Sequence, residues 1–159
     1  MVAPRLPEEE TERTRAAVVA GFGMVARDSN GEIMAYASKF PTMVLSPTVG
    51  EALSLRWAMD LAIQLGFRRV VFETDCLPLF QAWKKASGGS YLLTVIQDCF
   101  HFCNFFDFVD LSFVRREGNC AADFLARNAS TLTNEVWVED GPPGLFPLLL
   151  EDILASRPA

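Results

Sequence analysis

Three acidic residues fall where predicted helices and strands meet, and together they could hold a divalent cation. Glu51 lies near the start of a predicted helix, Asp75 lies at the carboxyl end of a short apolar strand, and Asp123 lies in the first turn of a later helix. Open α/β sheets place their ligands at the carboxyl ends of strands. A small acidic pocket of this kind can recruit Mg²⁺, which prefers oxygen donors. We therefore expect the three carboxylates to lie close together at one edge of a sheet.

Each carboxylate also has a purely structural explanation. Thr48 and Glu51 have the spacing of a capping box at a helix start. Asp75 could cap the helix that follows it, and Asp123 could interact favourably with the positive end of its own helix. Because all three lie at the ends of elements, their joint placement favours a shared site over three separate caps.

The front of the chain predicts an antiparallel hairpin. Two apolar runs, residues 17–27 and 32–39, flank an Asn-Gly pair at positions 30–31, which is typical of a type I′ turn because both residues tolerate a positive φ. Gly21 and Gly23 indicate a close backbone approach or a bulge within the first run.

Alternating helices and strands follow the hairpin, which predicts parallel pairing and hence an α/β fold with a mixed sheet covered by helices. The predicted elements are a helix over residues 47–65, a strand over 69–75, helices over 79–86 and 91–105, a strand over 106–116 and a helix over 120–129. Ser46 and Pro47 open the first of these helices and Gly66 ends it. Asn119 is a favourable N-cap for the last one.

The sequence divides into one folded domain and two flanking segments. Residues 1–16 are interpreted as a polar N-terminal tail, residues 17–130 as the domain, and residues 131–159 as a C-terminal linker with a short amphipathic helix. The apolar end of this last segment is expected either to pack on the domain's own sheet or to bind a protein partner. The charged start is unlike a secretory signal and no apolar run could span a bilayer, so we expect no membrane association and a cytoplasmic or nuclear, not secreted, protein.

Charge and cysteine content narrow the classes of site. The formal net charge of −6 argues against a protein that grips nucleic acid by bulk electrostatics. Cys99, His101 and Cys103 lie close in sequence, but the chain offers no second ligand pair. We therefore interpret the two cysteines as buried core thiols and His101 as a packed or surface residue.

Four blocks keep a common spacing between residues 21 and 129. They are residues 21–31 (GFGMVARDSNG), 50–55 (GEALSL), 73–75 (ETD) and 116–126 (REGNCAADFLA). Together they resemble the plant ribonuclease H-like family, which is related to the ribonuclease H domain of retroelement reverse transcriptases. The resemblance implies a five-stranded mixed sheet flanked by helices. It also implies a hydrolase, an endonuclease that cuts the RNA strand of RNA–DNA hybrids with Mg²⁺, or with Mn²⁺ in its place.

The resemblance also assigns roles to residues. Glu51, Asp75 and Asp123 match the family's catalytic and metal-binding carboxylates, and two Mg²⁺ ions about 4 Å apart need such shared oxygen ligands. Family sites expect one more aspartate in a first strand upstream of Gly21, and this chain has no aspartate before Asp28. Glutamates stand at about the right distance, but in a polar stretch unlike a strand. We therefore interpret the first strand as degraded or replaced.

These observations predict a ribonuclease H type 1-like domain that binds RNA–DNA hybrid or RNA weakly. Arg115, Arg116 and Asn119 are the expected nucleic-acid contacts, since basic and amide side chains bind phosphates. Metal-dependent ribonuclease activity is expected to be impaired by the missing aspartate. The alternative is a catalytically inactive nucleic-acid-binding or protein-interaction domain of retroelement origin. The missing aspartate and the acidic charge favour this alternative, whereas the three remaining carboxylates favour the enzyme.

Overall fold

A computed structural model describes residues 21–28, 32–41, 46–132, 136–137, 141–142 and 144–155. Its elements in chain order are β1 (Phe22–Arg27), β2 (Ile33–Lys39), α1 (Pro47–Gln64), β3 (Arg69–Thr74), α2 (Leu77–Lys85), α3 (Ser90–Cys103), β4 (Phe108–Phe113), a 3₁₀ helix (Arg116–Gly118), α4 (Cys120–Arg127), α5 (Ala129–Leu132), β5 (Val136–Trp137) and α6 (Leu145–Ala155). The predicted tail, the first residues of the hairpin and its Asn-Gly turn lie outside the described residues.

The described strands combine antiparallel and parallel pairing. β1 and β2 form the predicted antiparallel hairpin, and β5 adds to the other side of β2. β3 and β4 pair in parallel from Arg69 opposite Phe108 to Thr74 opposite Phe113. The predicted mixed α/β architecture is confirmed. The sequence did not indicate β5, because two residues are too short to show a periodic pattern.

An open groove separates the two sets of strands. β1 and β3 each stand at an edge, and among the described residues no strand lies between them. Both strands line the same cavity of about 1090 Å³, to which α1 contributes Leu55, Ala58 and Ala62. At one point Arg27 Nη2 lies 3.3 Å from Glu73 Oε2, which links β1 to β3 through side chains. Among the strands that the structure describes, no backbone ladder joins β1 to β3.

The helix α1 holds the main core together. It begins at Pro47 and ends at Gln64, and Gly66 follows with a φ of 79°, as the sequence predicted. Met59 and Ala62 are buried on its inner side and belong to the same core as Ile96 of α3. All of the described helices are too short or too polar to cross a membrane.

Two glycines let β1 lie directly on α4. A β-carbon at Gly23 would come within 2.1 Å of the carbonyl oxygen of Ala122, and one at Gly21 within 2.2 Å of the carbonyl oxygen of Ala126. The predicted close approach is thus confirmed, whereas the irregularity of the β1–β2 register falls between Ala26 and Arg27. The contact fixes the position of α4 relative to the sheet.

The C-terminal helix α6 packs back on its own chain. Leu145 and Leu149 are buried in a second cluster with Ala121 and Leu125 of α4 and Tyr36 of β2. Phe146, Leu150 and Leu154, spaced four residues apart, form an exposed apolar stripe on α6. The helix therefore covers α4 and leaves one apolar side open.

Gly23→Ser is expected to destabilise the domain by about 1–3 kcal/mol, because the new side chain must displace backbone atoms of α4. Urea unfolding followed by circular dichroism measures this change. The matched control is Gly89→Ser, where an added β-carbon meets no atom within 4 Å. Equal unfolding free energies for the two variants would contradict the close packing of β1 on α4.

Candidate functional site

Glu51 lies in the second turn of α1 and lines the groove between β1 and β3. Desolvation at the carboxyl group raises its pKa from 4.5 to about 7, with further increases from the charges of Asp75 and Asp123 and an opposing effect from Arg116. The residue as a whole remains exposed, so water still reaches the groove. The capping-box explanation for Glu51 is wrong, because α1 already begins at Pro47 and shows no side-chain cap.

Asp75 follows the last residue of β3 and is half-buried. Asn119 Nδ2 donates a hydrogen bond of 3.2 Å to Asp75 Oδ1, and Arg116 Nε lies 3.7 Å from Asp75 Oδ2. The alternative that Asp75 caps the next helix does not hold. The residue at the N-cap is Cys76, whose backbone N–H donates to Thr74 Oγ1 at 3.1 Å. The Asp75 carboxylate is therefore turned to the loop before α4.

Asp123 lies in the first turn of α4 and pairs with Arg127 four residues later, at 2.9 Å. Its backbone N–H donates to the carbonyl of Asn119 at 3.1 Å, which closes the first turn of the helix. The charge of Asp123 reaches Glu51 across the groove, since it contributes to the raised pKa of that group. Asp75 and Asp123 thus both lie within electrostatic range of Glu51.

The start of α4 is capped from elsewhere in the chain. Asn119 occupies the N-cap position, but its side chain makes no cap and binds Asp75 instead, so this part of the prediction is wrong. The carboxylate of Asp152 in α6 accepts hydrogen bonds from the backbone N–H groups of Cys120 at 2.8 Å and Ala121 at 3.0 Å. Sequence reasoning missed Asp152, because a residue 32 positions away gives no local signal.

A divalent cation matches the donor chemistry of this site. Carboxylate oxygens suit Mg²⁺. Desolvation is the main cause of the raised pKa of Glu51, and a cation would relieve the smaller repulsion from Asp75 and Asp123. However, within the part of the chain that the structure describes, no three His, Cys, Asp or Glu side chains are grouped so that they could hold a metal ion. In the described structure Asp75 and Asp123 pair with Arg116 and Arg127.

The remaining candidates lie outside this carboxylate group. Arg115 is exposed and lines a smaller pocket together with Glu73 and Glu117. His101 is exposed on α3, with its Nδ1 2.8 Å from the carbonyl oxygen of Gln97. It therefore caps its own helix turn and is a surface residue, as expected.

The cysteines behave as core thiols. Cys99 is fully buried in the main core, and its burial raises the pKa of the thiol to about 12, which keeps it neutral. Cys103 is half-buried, and its thiol donates to the carbonyl of Cys99 at 3.4 Å. All four cysteines are unpaired. The structure therefore supports a packing role for Cys99 and Cys103 and not a metal site.

Glu51→Gln should stabilise the domain at pH 8 in the absence of metal, by about 1 kcal/mol, a value kept small because solvent screens an exposed group. A carboxyl group with a raised pKa in the folded state stabilises folding most when protonated. That contribution is lost as the pH rises from about 4.5 to about 7. The difference in unfolding free energy between variant and wild type should grow over this range. A difference between Glu51→Gln and wild type that does not change with pH would contradict the raised pKa of Glu51.

The family model described as reverse transcriptase-like matches residues 12–129. The ribonuclease H1 of Halobacterium salinarum is similar at 21% identity and a TM-score of 0.66, over 71% of this chain and 86% of that one. The N-terminal ribonuclease H domain of a Mycobacterium tuberculosis protein, solved as a fusion with maltose-binding protein, is similar at 18% identity and a TM-score of 0.51, over 69% and 95%. No curated protein sequence matches the chain significantly. The chain belongs to the reverse transcriptase-like family and has a ribonuclease H-like fold.

Proposed function

We propose that this domain binds RNA–DNA hybrids weakly and cleaves their RNA strand slowly in the presence of Mg²⁺ or Mn²⁺. The observation that carries the proposal is the placement of Glu51, of Asp75 beside Thr74 and of Asp123 beside Ala122 around one groove in a ribonuclease H-like fold. These three carboxylates would hold the metal, which stabilises charge on the attacking and leaving oxygens of the phosphate when bound.

The neighbouring residues orient the carboxylates and attract phosphate. Asn119 holds Asp75 by a hydrogen bond and so limits the directions that its oxygens take. Arg115 and Arg116 are exposed beside the acidic group, where arginine can bind phosphate oxygens with two parallel hydrogen bonds. An acidic centre flanked by arginines suits a nucleic-acid substrate. One phosphate would bind the cation, and the adjacent phosphates would bind the arginines.

The second candidate function is nucleic-acid binding without catalysis. The specific observation in its favour is that Asp75 already has Arg116 and Asn119 as partners and Asp123 has Arg127. A site neutralised by arginines binds metal less readily, because ligand charge and ligand number set the affinity for hard cations. Slow turnover and no turnover are therefore the two outcomes that an assay must separate.

A labelled RNA–DNA hybrid should be cleaved slowly with Mg²⁺ or Mn²⁺ and not after chelation. Asp75→Asn should reduce the rate by about 100-fold or more, the scale expected when a group that stabilises transition-state charge is removed. The matched control is Asp60→Asn, an exposed position on α1 that accepts a hydrogen bond from Gln64 of the same helix. Circular dichroism confirms that the variants are folded.

Two results would decide against catalysis. Hybrid binding without any metal-dependent cleavage by the wild type would establish the second candidate. Equal cleavage by wild type and Asp75→Asn would mean that the activity comes from another source.

Replacing Arg115 and Arg116 together by alanine should weaken hybrid binding and lower the slope of log affinity against log salt by about 2, since each phosphate contact contributes about 0.9. Fluorescence anisotropy at several salt concentrations measures both quantities. Lys84→Ala combined with Lys85→Ala is the control, because Lys84 on α2 already pairs with Asp110 at 3.1 Å. An unchanged slope in the arginine variant would exclude the two arginines as phosphate contacts.

A further inference from the structure

The C-terminal helix α6 lies beyond the part of the chain that the family model matches, yet one of its residues reaches the candidate site. Asp152 is buried, with 3% of its surface exposed. Its Oδ1 accepts the N–H of Cys120 and its Oδ2 accepts the N–H of Ala121. These are the first two amides of α4, which have no partner inside the helix. A carboxylate at this end is also favoured by the helix dipole.

Packing holds Asp152 in place. Leu145, Leu149 and Asp152 follow a spacing of four and three residues, so they lie on one side of α6. Leu145 and Leu149 are buried against Ala121 and Leu125 of α4. The same side of the helix thus provides the apolar contact and the carboxylate, and α6 is bound to α4 through both.

The capped turn carries two residues of the candidate site. Asn119, immediately before Cys120, donates to Asp75. Asp123 closes the first turn by its N–H bond to the carbonyl of Asn119. Any movement of the amides of Cys120 and Ala121 therefore moves the side chain that holds Asp75 and the carboxylate of Asp123. Asn119 cannot provide the cap itself while its side chain is bound to Asp75.

We propose that Asp152 is a positioning residue, through which the C-terminal helix sets the placement of Asn119 and Asp123 at the candidate site. Its effect on hybrid binding and cleavage rests on the proposed function. Its effect on the geometry of Asn119 does not, because that is observable in the free protein. With Asp152 in this role, the C-terminal helix α6 is a part of the site.

Asp152→Asn tests the proposal, with Glu151→Gln as a control that removes the same charge from an exposed neighbouring position on α6. The asparagine keeps the size of the side chain but can accept only one of the two hydrogen bonds. We expect amide hydrogen exchange at Cys120 and Ala121 to accelerate about tenfold or more. The side-chain NH₂ signals of Asn119 should shift in nitrogen–proton spectra, while the exchange of core amides such as Leu111 is retained. Hybrid cleavage, measured where both variants are folded, should fall at least fivefold only in Asp152→Asn.

Each outcome bears on a different claim. Faster exchange at Cys120 and Ala121 with unchanged Asn119 signals and unchanged cleavage would reduce Asp152 to a structural cap and overturn the positioning role. Shifted Asn119 signals in a protein that neither binds nor cleaves hybrid would support the positioning role and reject the proposed function. If Asp152→Asn does not fold, the wild type still provides the test. Its Cys120 and Ala121 amides should exchange as slowly as amides inside α4, and exchange at the rate of uncapped amides would overturn the proposal.

Discussion

The direct contact between β1 and α4 is the constraint on which the rest of the structure depends. Ala122 and Ala126 place backbone carbonyls where any side chain at Gly23 or Gly21 would stand. Backbone contact at this distance leaves little freedom to slide or rotate, because interiors are packed at crystal-like density. It sets the height of α4 on the sheet, and with it the position of Asp123. α6 then packs on the outer side of the same helix, so α4 is held from two sides.

Three acidic side chains set the electrostatics of the site, and two arginines neutralise them in part. Desolvation is the main cause of the raised pKa of Glu51, and repulsion from Asp75 and Asp123 raises it further. Arg116 offsets part of this repulsion and Arg127 pairs with Asp123. Both arginines are largely exposed, so these pairs are weak and open to exchange.

Among the described residues, a groove lies between β1 and β3. Here Arg27 and Glu73 place an ion pair between the two strands, and α1 lies beneath with small and apolar side chains. Glu51 lines the same groove, where burial desolvates its carboxyl group and raises its pKa. The shape of the groove and the acidity of the site are therefore linked.

The sequence by itself determined the order and most limits of the elements, because periodicity, Pro47, Gly66 and the two glycines of β1 act through local geometry. It also identified Glu51, Asp75 and Asp123 as candidates from their places at element ends. It could not determine which groups these carboxylates contact, since Arg116 and Asn119 are distant in sequence from Asp75. The cap of α4 shows the difference most clearly. Asn119 has the residue type and position of a cap, yet its side chain binds Asp75, and a carboxylate 32 residues away takes its place. Local propensity cannot decide between such competing partners, because their distances exist only once the chain has folded.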